Sequence, residues 1–171
     1  FCLKKKNSKT DLLVYGMAEN SIIEVAEAMR SGIAIEDITY IRGTVWKTKS
    51  KDLPSDAIIL PSLTEIKKDK DKFIDSFVIQ YRNTDAFTAK PLVEMAGNVA
   101  VVQNKPSFAL KQEEMDWVYG LPFTRLVHPS YSEIPAIEEV QCSLISNRGC
   151  FDSCNFCAMS AHQGRMISSS S

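Results

Sequence analysis

No apolar run in this 171-residue chain approaches the roughly 20 residues that a membrane span needs. No charge of one sign dominates either: the formal net charge is −1, which leaves no electrostatic case for nucleic acid or a membrane surface. The basic run Lys4-Lys5-Lys6, followed by Asn7, Ser8 and Lys9, reads as a solvated stretch. A disulfide framework is absent too. Five cysteines is an odd count, the chain is long, and no secretory leader pattern is seen, so the cysteines point to a reducing cytoplasm. There is no Gly-x-Gly-x-x-Gly fingerprint. There is no Asp-x-His-x-x-Gly pattern, since His128 is followed by Pro129.

What is present reads as an α/β domain. The apolar content of 44% is ordinary for a globular protein. Leu12 to Tyr15 is a short buried strand ending at Gly16, and Asn20 or Ser21 caps the helix that follows. Ile22, Val25, Ala26 and Met29 share one face of that helix, and Gly32 ends it. Ile38 to Val45 reads as a strand, Ala57 to Leu60 as another stopped by Pro61, and Val99 to Val102 as a third. One long helix is predicted over Ser62 to Tyr81, with Ile66, Phe73, Phe77 and Tyr81 on its buried side and Lys67 to Lys72 exposed. A further helix is predicted over Lys111 to Tyr119. Trp46 and Trp117 read as packing residues. Short apolar strands alternating with amphipathic helices predict a parallel, partial Rossmann-like sheet. The Gly16-Met17-Ala18-Glu19 turn suits a tight strand-to-helix connection better than a phosphate cradle.

The residues that point to chemistry lie near the C-terminus. Cys150, Cys154 and Cys157 form a Cys-x3-Cys-x2-Cys triad on one short loop. Soft thiolates suit iron–sulfur clusters and zinc alike. Three ligands on one loop hold three corners of a [4Fe-4S] cube and leave one iron open. The rival is a Cys3His zinc site completed by His162. Ligand softness and the lack of a fourth nearby cysteine favour the cluster. Cys142 sits eight residues upstream in an alternating stretch, and Cys2 is remote.

Three blocks surround that loop in order. The first runs Leu121-Pro122-Phe123-Thr124-Arg125 to His128-Pro129-Ser130-Tyr131. The second is Arg148-Gly149-Cys150-Phe151 through Phe156-Cys157, and the third is His162-Gln163-Gly164-Arg165. Together they closely resemble the YgiQ-type family of radical S-adenosylmethionine (SAM) proteins, and Leu12 to Pro106 resembles that family's N-terminal domain. Two departures stand out. The spacer Phe151-Asp152-Ser153 replaces the small glycines usual there, and serines to Ser171 stand where the family has an arginine.

The resemblance implies a [4Fe-4S] cluster on Cys150, Cys154 and Cys157, with SAM chelating the open iron and cleaved reductively to a 5′-deoxyadenosyl radical. Phe156 is expected near the SAM adenine. Arg148 is expected to meet the cluster charge or SAM carboxylate, or else to form an ordinary salt bridge. His162 and Arg165 are expected beside the cofactor or substrate. Arg125 and His128 are expected either to reach the substrate cavity or to tie domains together.

The expected organisation is a Rossmann-like unit over 1–120, similar to the cobalamin-binding modules that precede many radical SAM barrels. A connector follows over 121–139. The first barrel strand, Val140 to Ser146, with the cluster loop and a helix from about Ala158, occupies 140–171. The family resemblance also implies an internal fragment of a longer enzyme, inactive by itself, with an unpaired barrel strand through which it could self-associate. Two other readings stay open: a zinc-stabilised binding domain, and a docking domain with a ligand near Gly16. The sequence names no substrate.

Overall fold

The computed structural model describes residues 10–49, 52–131, 134, 135, 137–152, 154 and 156–171. Cys2 and the Lys4–Lys6 run lie outside these. The architecture is α/β, built on a mixed five-stranded sheet of order β1-β2-β5-β4-β3. The strands are β1 (Leu13–Val14), β2 (Thr44–Lys49), β3 (Ile58–Leu60), β4 (Leu92–Ala96) and β5 (Val99–Gln103).

Only β3 and β4 pair in parallel, and the other three pairs are antiparallel. The expected all-parallel sheet is therefore corrected, for a reason visible in the connections. The β3-to-β4 link contains two helices, α2 (Leu63–Lys68) and α3 (Lys70–Arg82), and is long enough for a crossover. The β4-to-β5 link is Gly97 and Asn98 alone, which makes a hairpin. The β1-to-β2 link contains helix α1 (Glu19–Arg30) and a 3-10 turn at Ile35–Asp37, yet it brings the chain back to where β1 ends. Val14 accordingly pairs with Thr44 and the strands run opposite ways. A helix between two strands thus accompanies the parallel pair here but does not guarantee parallel pairing.

Both sheet faces are covered. Trp46, Val93, Ala100 and Val102 pack on one another, while Val45 and Val101, one residue out of phase, meet Leu13 and Tyr15. Helix α1 buries Ser21, Val25 and Ala28, with Val25 and Ala28 against Ile38 and Ile41. The predicted α1 face is rotated: Ile22 and Met29 are exposed. Ser21 sits at the buried centre because its hydroxyl donates to the Arg42 carbonyl at 2.9 Å and lies 2.8 Å from the Ser107 hydroxyl. Ile38 to Arg42, predicted as strand, is loop, and β2 begins at Thr44.

The predicted single helix over Ser62 to Tyr81 is two helices, broken at Asp69 in an extended conformation. Asp69 ends α2 and caps α3, its carboxylate accepting from the Asp71 N–H at 2.9 Å. The apolar side of α3 is also corrected: Phe73, Ile74, Phe77 and Tyr81 are all exposed. Periodicity identified the apolar face but could not say what covers it. Helix α4 (Gln112–Tyr119) forms near its predicted span and packs Met115 and Val118 against Leu110, whereas Trp117 is exposed.

Asn104 ties these parts together. Its amide donates to the Thr39 and Ile41 carbonyls, both at 2.8 Å, and accepts from the Trp46 indole at 3.1 Å. Its own carbonyl accepts from the Tyr15 hydroxyl at 2.6 Å. Close to this hub, Gly43 has φ 70° and lies where an added Cβ would come 2.2 Å from the Ser107 hydroxyl oxygen. Gly43→Ala combines left-handed strain with overpacking and is expected to cost about 2–4 kcal/mol. Urea unfolding measures this, and an unchanged midpoint would refute the tight approach.

Candidate functional site: the cysteine loop and the cleft beside it

The cysteine loop leaves a two-residue strand and returns to another. Strand β6 (Asn147–Arg148) pairs antiparallel with β7 (Ser168–Ser169), and the loop and helix α6 (Met159–Gln163) lie between. The predicted strand over Val140 to Ser146 is corrected: Ile137–Val140 forms a helical turn, α5, and pairing begins only at Asn147. A strand needs a partner for its backbone groups, and the partner here is the serine run near the C-terminus. That run, unassigned by sequence reasoning, also donates from the Ser168 hydroxyl to the Leu110 carbonyl at 2.7 Å and from the Ser171 N–H to Asp116 at 2.9 Å.

The first cysteine is held by its backbone. The Cys150 N–H donates to the Gly164 carbonyl at 3.1 Å, and the Gly149 N–H donates to the Gln163 side chain at 3.0 Å. The second and third sequence blocks are thereby brought together. Gly149 has φ 88°, and a Cβ there would come 1.9 Å from the Met166 carbonyl oxygen, so no larger residue fits. Cys150 is half-buried, Cys154 and Cys157 are exposed, and the Cys157 N–H donates to the Cys154 carbonyl at 3.0 Å. Phe156 is 92% exposed. Ser153 and Asn155 lie outside the described residues.

Among the described residues no three His, Cys, Asp or Glu side chains are gathered closely enough to hold a metal ion. The donor chemistry nevertheless fits a soft metal centre. Three cysteines on one short loop are free of disulfides, and two present their side chains to solvent. Ligands of this kind gather as the metal binds.

Arg148 does not point into the loop. Its guanidinium forms an ion pair with Glu19 in the first turn of α1, donates to the Tyr119 hydroxyl at 2.7 Å, and lies 5.0 Å from the centre of the Tyr119 ring. The two charged side chains are 14% and 24% exposed. Burial works against the Arg148 charge, but the hydrogen bonds to Glu19 and Tyr119 outweigh it and leave its pKa above the ordinary value. This clasp fastens the residue two places before Cys150 to the α/β domain. Glu19 and Tyr119 carry no sequence signal for it, because the contact joins positions 129 and 29 residues apart.

The other predicted residues fall in two places. His162 and Arg165 line a cleft of about 430 Å³, whose opposite walls include Tyr15, Gly16, Met17, Phe77 and Tyr81. Arg165 donates to the Tyr81 hydroxyl and lies over its ring at 4.9 Å. Arg125 is exposed with φ 56°, and His128 is engaged locally, 2.7 Å from the Ser130 hydroxyl and edge-on to Tyr131. Tyr15 was missed as a site residue; a tyrosine closing a buried strand carries no distinguishing pattern.

Burial raises the Tyr15 pKa from 10.0 to about 12, and a hydrogen bond with Gln103 and the Arg42 charge offset only part of this.

The family model described as "Radical SAM N-terminal" matches residues 5–143, ending before Cys150. A UPF0313 protein of Clostridium botulinum (strain ATCC 19397 / Type A) is 43% identical over 165 residues, covering 95% of this chain and 26% of that protein. One from Methanocella arvoryzae is 44% identical over 166 residues, with 96% and 28% covered. Another, from Clostridium perfringens (strain 13 / Type A), is 43% identical over 169 residues, with 96% and 26% covered. The chain thus spans about a quarter of the length of the curated relatives it matches. No solved structure matches it.

Two outcomes follow from this geometry. Arg148→Ala leaves the Glu19 carboxylate without its cation and is expected to cost about 2–4 kcal/mol in urea unfolding; a loss within error of zero would show the clasp to be incidental. Tyr15 in the unfolded chain ionises near its usual pKa, while the folded chain holds the proton to about 12. Its contribution is therefore complete below the unfolded value and is lost, by about 2–3 kcal/mol, as pH rises through that window. Phenolate absorbance should show one late-titrating tyrosine that Tyr15→Phe removes; a late phase surviving that change would contradict the assignment.

Proposed function

Because this chain belongs to the Radical SAM N-terminal family and is part of a YgiQ-like protein, we propose that the longer protein is a radical SAM enzyme. In this reading Cys150, Cys154 and Cys157 hold a [4Fe-4S] cluster with one iron left for SAM. The observation that carries it is the cysteine loop itself: three disulfide-free cysteines on a loop whose entry is pinned by backbone hydrogen bonds, with two side chains exposed and able to close on a ligand. When bound, the cluster supplies the electron for reductive cleavage of SAM.

The chain's own residues supply position and shelter. The N–H groups of Gly149 and Cys150 set where the first thiolate enters. Arg148 acts through Glu19 and Tyr119, as an anchor of the loop. Phe156 offers the apolar surface against which the adenine packs. His162 and Arg165 face the substrate side, in the cleft. Residues 1–120 form the supporting α/β domain, 121–139 the connector, and 140–171 the opening of the catalytic domain, with β6 as its first strand. By itself this stretch holds only part of such a site and is inactive. The odd cysteine count is the reason to place the enzyme in the cytoplasm; among the described residues no helix is long and apolar enough to cross a membrane.

Anaerobic reconstitution of the full-length protein with iron and sulfide, followed by low-temperature EPR, tests the reading. A reduced [4Fe-4S] signal that changes on adding SAM and is lost in Cys154→Ala is expected. One tightly held zinc and no cluster would overturn it in favour of a structural Cys3His site with His162.

A further inference from the structure

The cleft lies where the α/β domain meets the segment that follows the cysteine triad. One side is the Tyr15–Met17 turn at the end of β1, a second is the C-terminal end of α3, and the third is Ala158 to Met166. That third wall is the one bonded to the cysteine loop, through Gln163 to Gly149 and Gly164 to Cys150. The cleft therefore shares a wall with the entry of the cysteine loop. The volume, about 430 Å³, is that of an ordinary small-molecule site.

The lining decides what kind of molecule fits. Among the described residues that line it, Asp85 and Arg165 are the only formally charged side chains, and they cancel. The Asp85 carboxyl is held below its usual range by hydrogen bonds from the Thr88 and Phe87 N–H groups, so both charges persist at neutral pH. A single cation matched by a carboxylate does not make a phosphate site, which needs several convergent donors. The bordering amides are largely committed within the protein: Gln80 to Ser76, Asn83 to Ile79 and Lys90, Gln163 to Gly149. Beside the hydroxyl groups of Tyr15, Thr84 and Ser107 and the His162 imidazole, the lining offers flat faces. Phe77 and Tyr81 stack with ring centres 6.2 Å apart at 21°, and the Arg165 guanidinium covers Tyr81. Planar surfaces of this kind select planar partners by stacking rather than by charge.

We propose that this cleft binds an uncharged, planar aromatic small molecule as the substrate of the enzyme, with its ring against the Phe77–Tyr81–Arg165 ladder. The substrate role rests on the radical SAM reading above; the binding does not.

Ligand-detected NMR and calorimetry on the full-length protein test this with indole as the probe, cyclohexanol as a non-planar control and inorganic pyrophosphate as a polyanionic one. Indole is expected to bind at least about tenfold more tightly than either control and to lose about tenfold in Tyr81→Leu. Ala161→Phe, which fills the cleft, should abolish binding, and Ala109→Leu serves the same purpose if that variant fails to fold. Cyclohexanol binding as well as indole, or indole binding that survives both substitutions, overturns the proposal. Reconstitution of the same preparation separates the two readings. A cluster without indole binding sinks the cleft proposal alone. Indole binding without a cluster leaves the aromatic site standing and removes its role as a radical SAM substrate site.

Discussion

The ion pair between Arg148 and Glu19, shared with the Tyr119 hydroxyl, is the constraint on which the placement of the cysteine loop depends. It joins the strand entering the loop to the first helix of the α/β domain, while the Ser168–Leu110 and Ser171–Asp116 bonds tie the strand that leaves it. Such a pair is a poor source of net stability, because removing both charges from water costs about as much as their attraction returns. Its value is positional. One buried oxygen of Glu19 has no hydrogen-bond partner among the described residues, so the clasp is not fully satisfied, as expected of a contact that fixes geometry more than it lowers energy. The Gly149 and Cys150 N–H bonds extend that positioning to the first cysteine.

A second set of polar contacts prepares the opposite wall of the cleft. Asn104 holds the Ile38–Ile41 loop, β2 and the Tyr15 hydroxyl at once, which places the Tyr15–Met17 turn where it faces His162 to Met166. The core beneath supplies the stiffness: Val45, Val93, Val101 and Val102 are at most 1% exposed. The cleft is therefore lined by a rigid sheet edge on one side and by a short helix and loop on the other. Loops carried on a rigid frame are where ligands are usually met.

Much of this was legible in the sequence, and the failures have physical causes. The apolar runs at β1, β3 and β5 were placed correctly as strands because short apolar runs bounded by turn residues have few alternatives, but only β5 buries three consecutive residues, and Ile59 in β3 is exposed. Strand β4 was missed: Pro91 precedes it and Glu94 interrupts it, so its apolar run is broken. The direction of pairing was misread because it depends on where a connection returns the chain, which composition does not encode. The α1 face was misassigned because a small hydrogen-bonded serine, Ser21, outcompetes Ile22 for the interior. At the site, the cysteine spacing and the His162–Arg165 block were visible because their chemistry is carried by residue type. Glu19, Tyr119, Tyr15 and Tyr81 were not, since each acts only through a contact distant in the chain.

The placement of the cysteine loop turns on whether the clasp holds it. Amide hydrogen exchange at Gly149 and Cys150, compared between the unaltered chain and Glu19→Ala, reads this directly. Both N–H groups are bonded to the wall that follows the loop and have no contact with Glu19. Protection at both positions that falls in Glu19→Ala, while the amides of β5 keep theirs, is the predicted result. Unchanged protection at Gly149 and Cys150 would show that the loop is seated without the clasp, and would contradict the account.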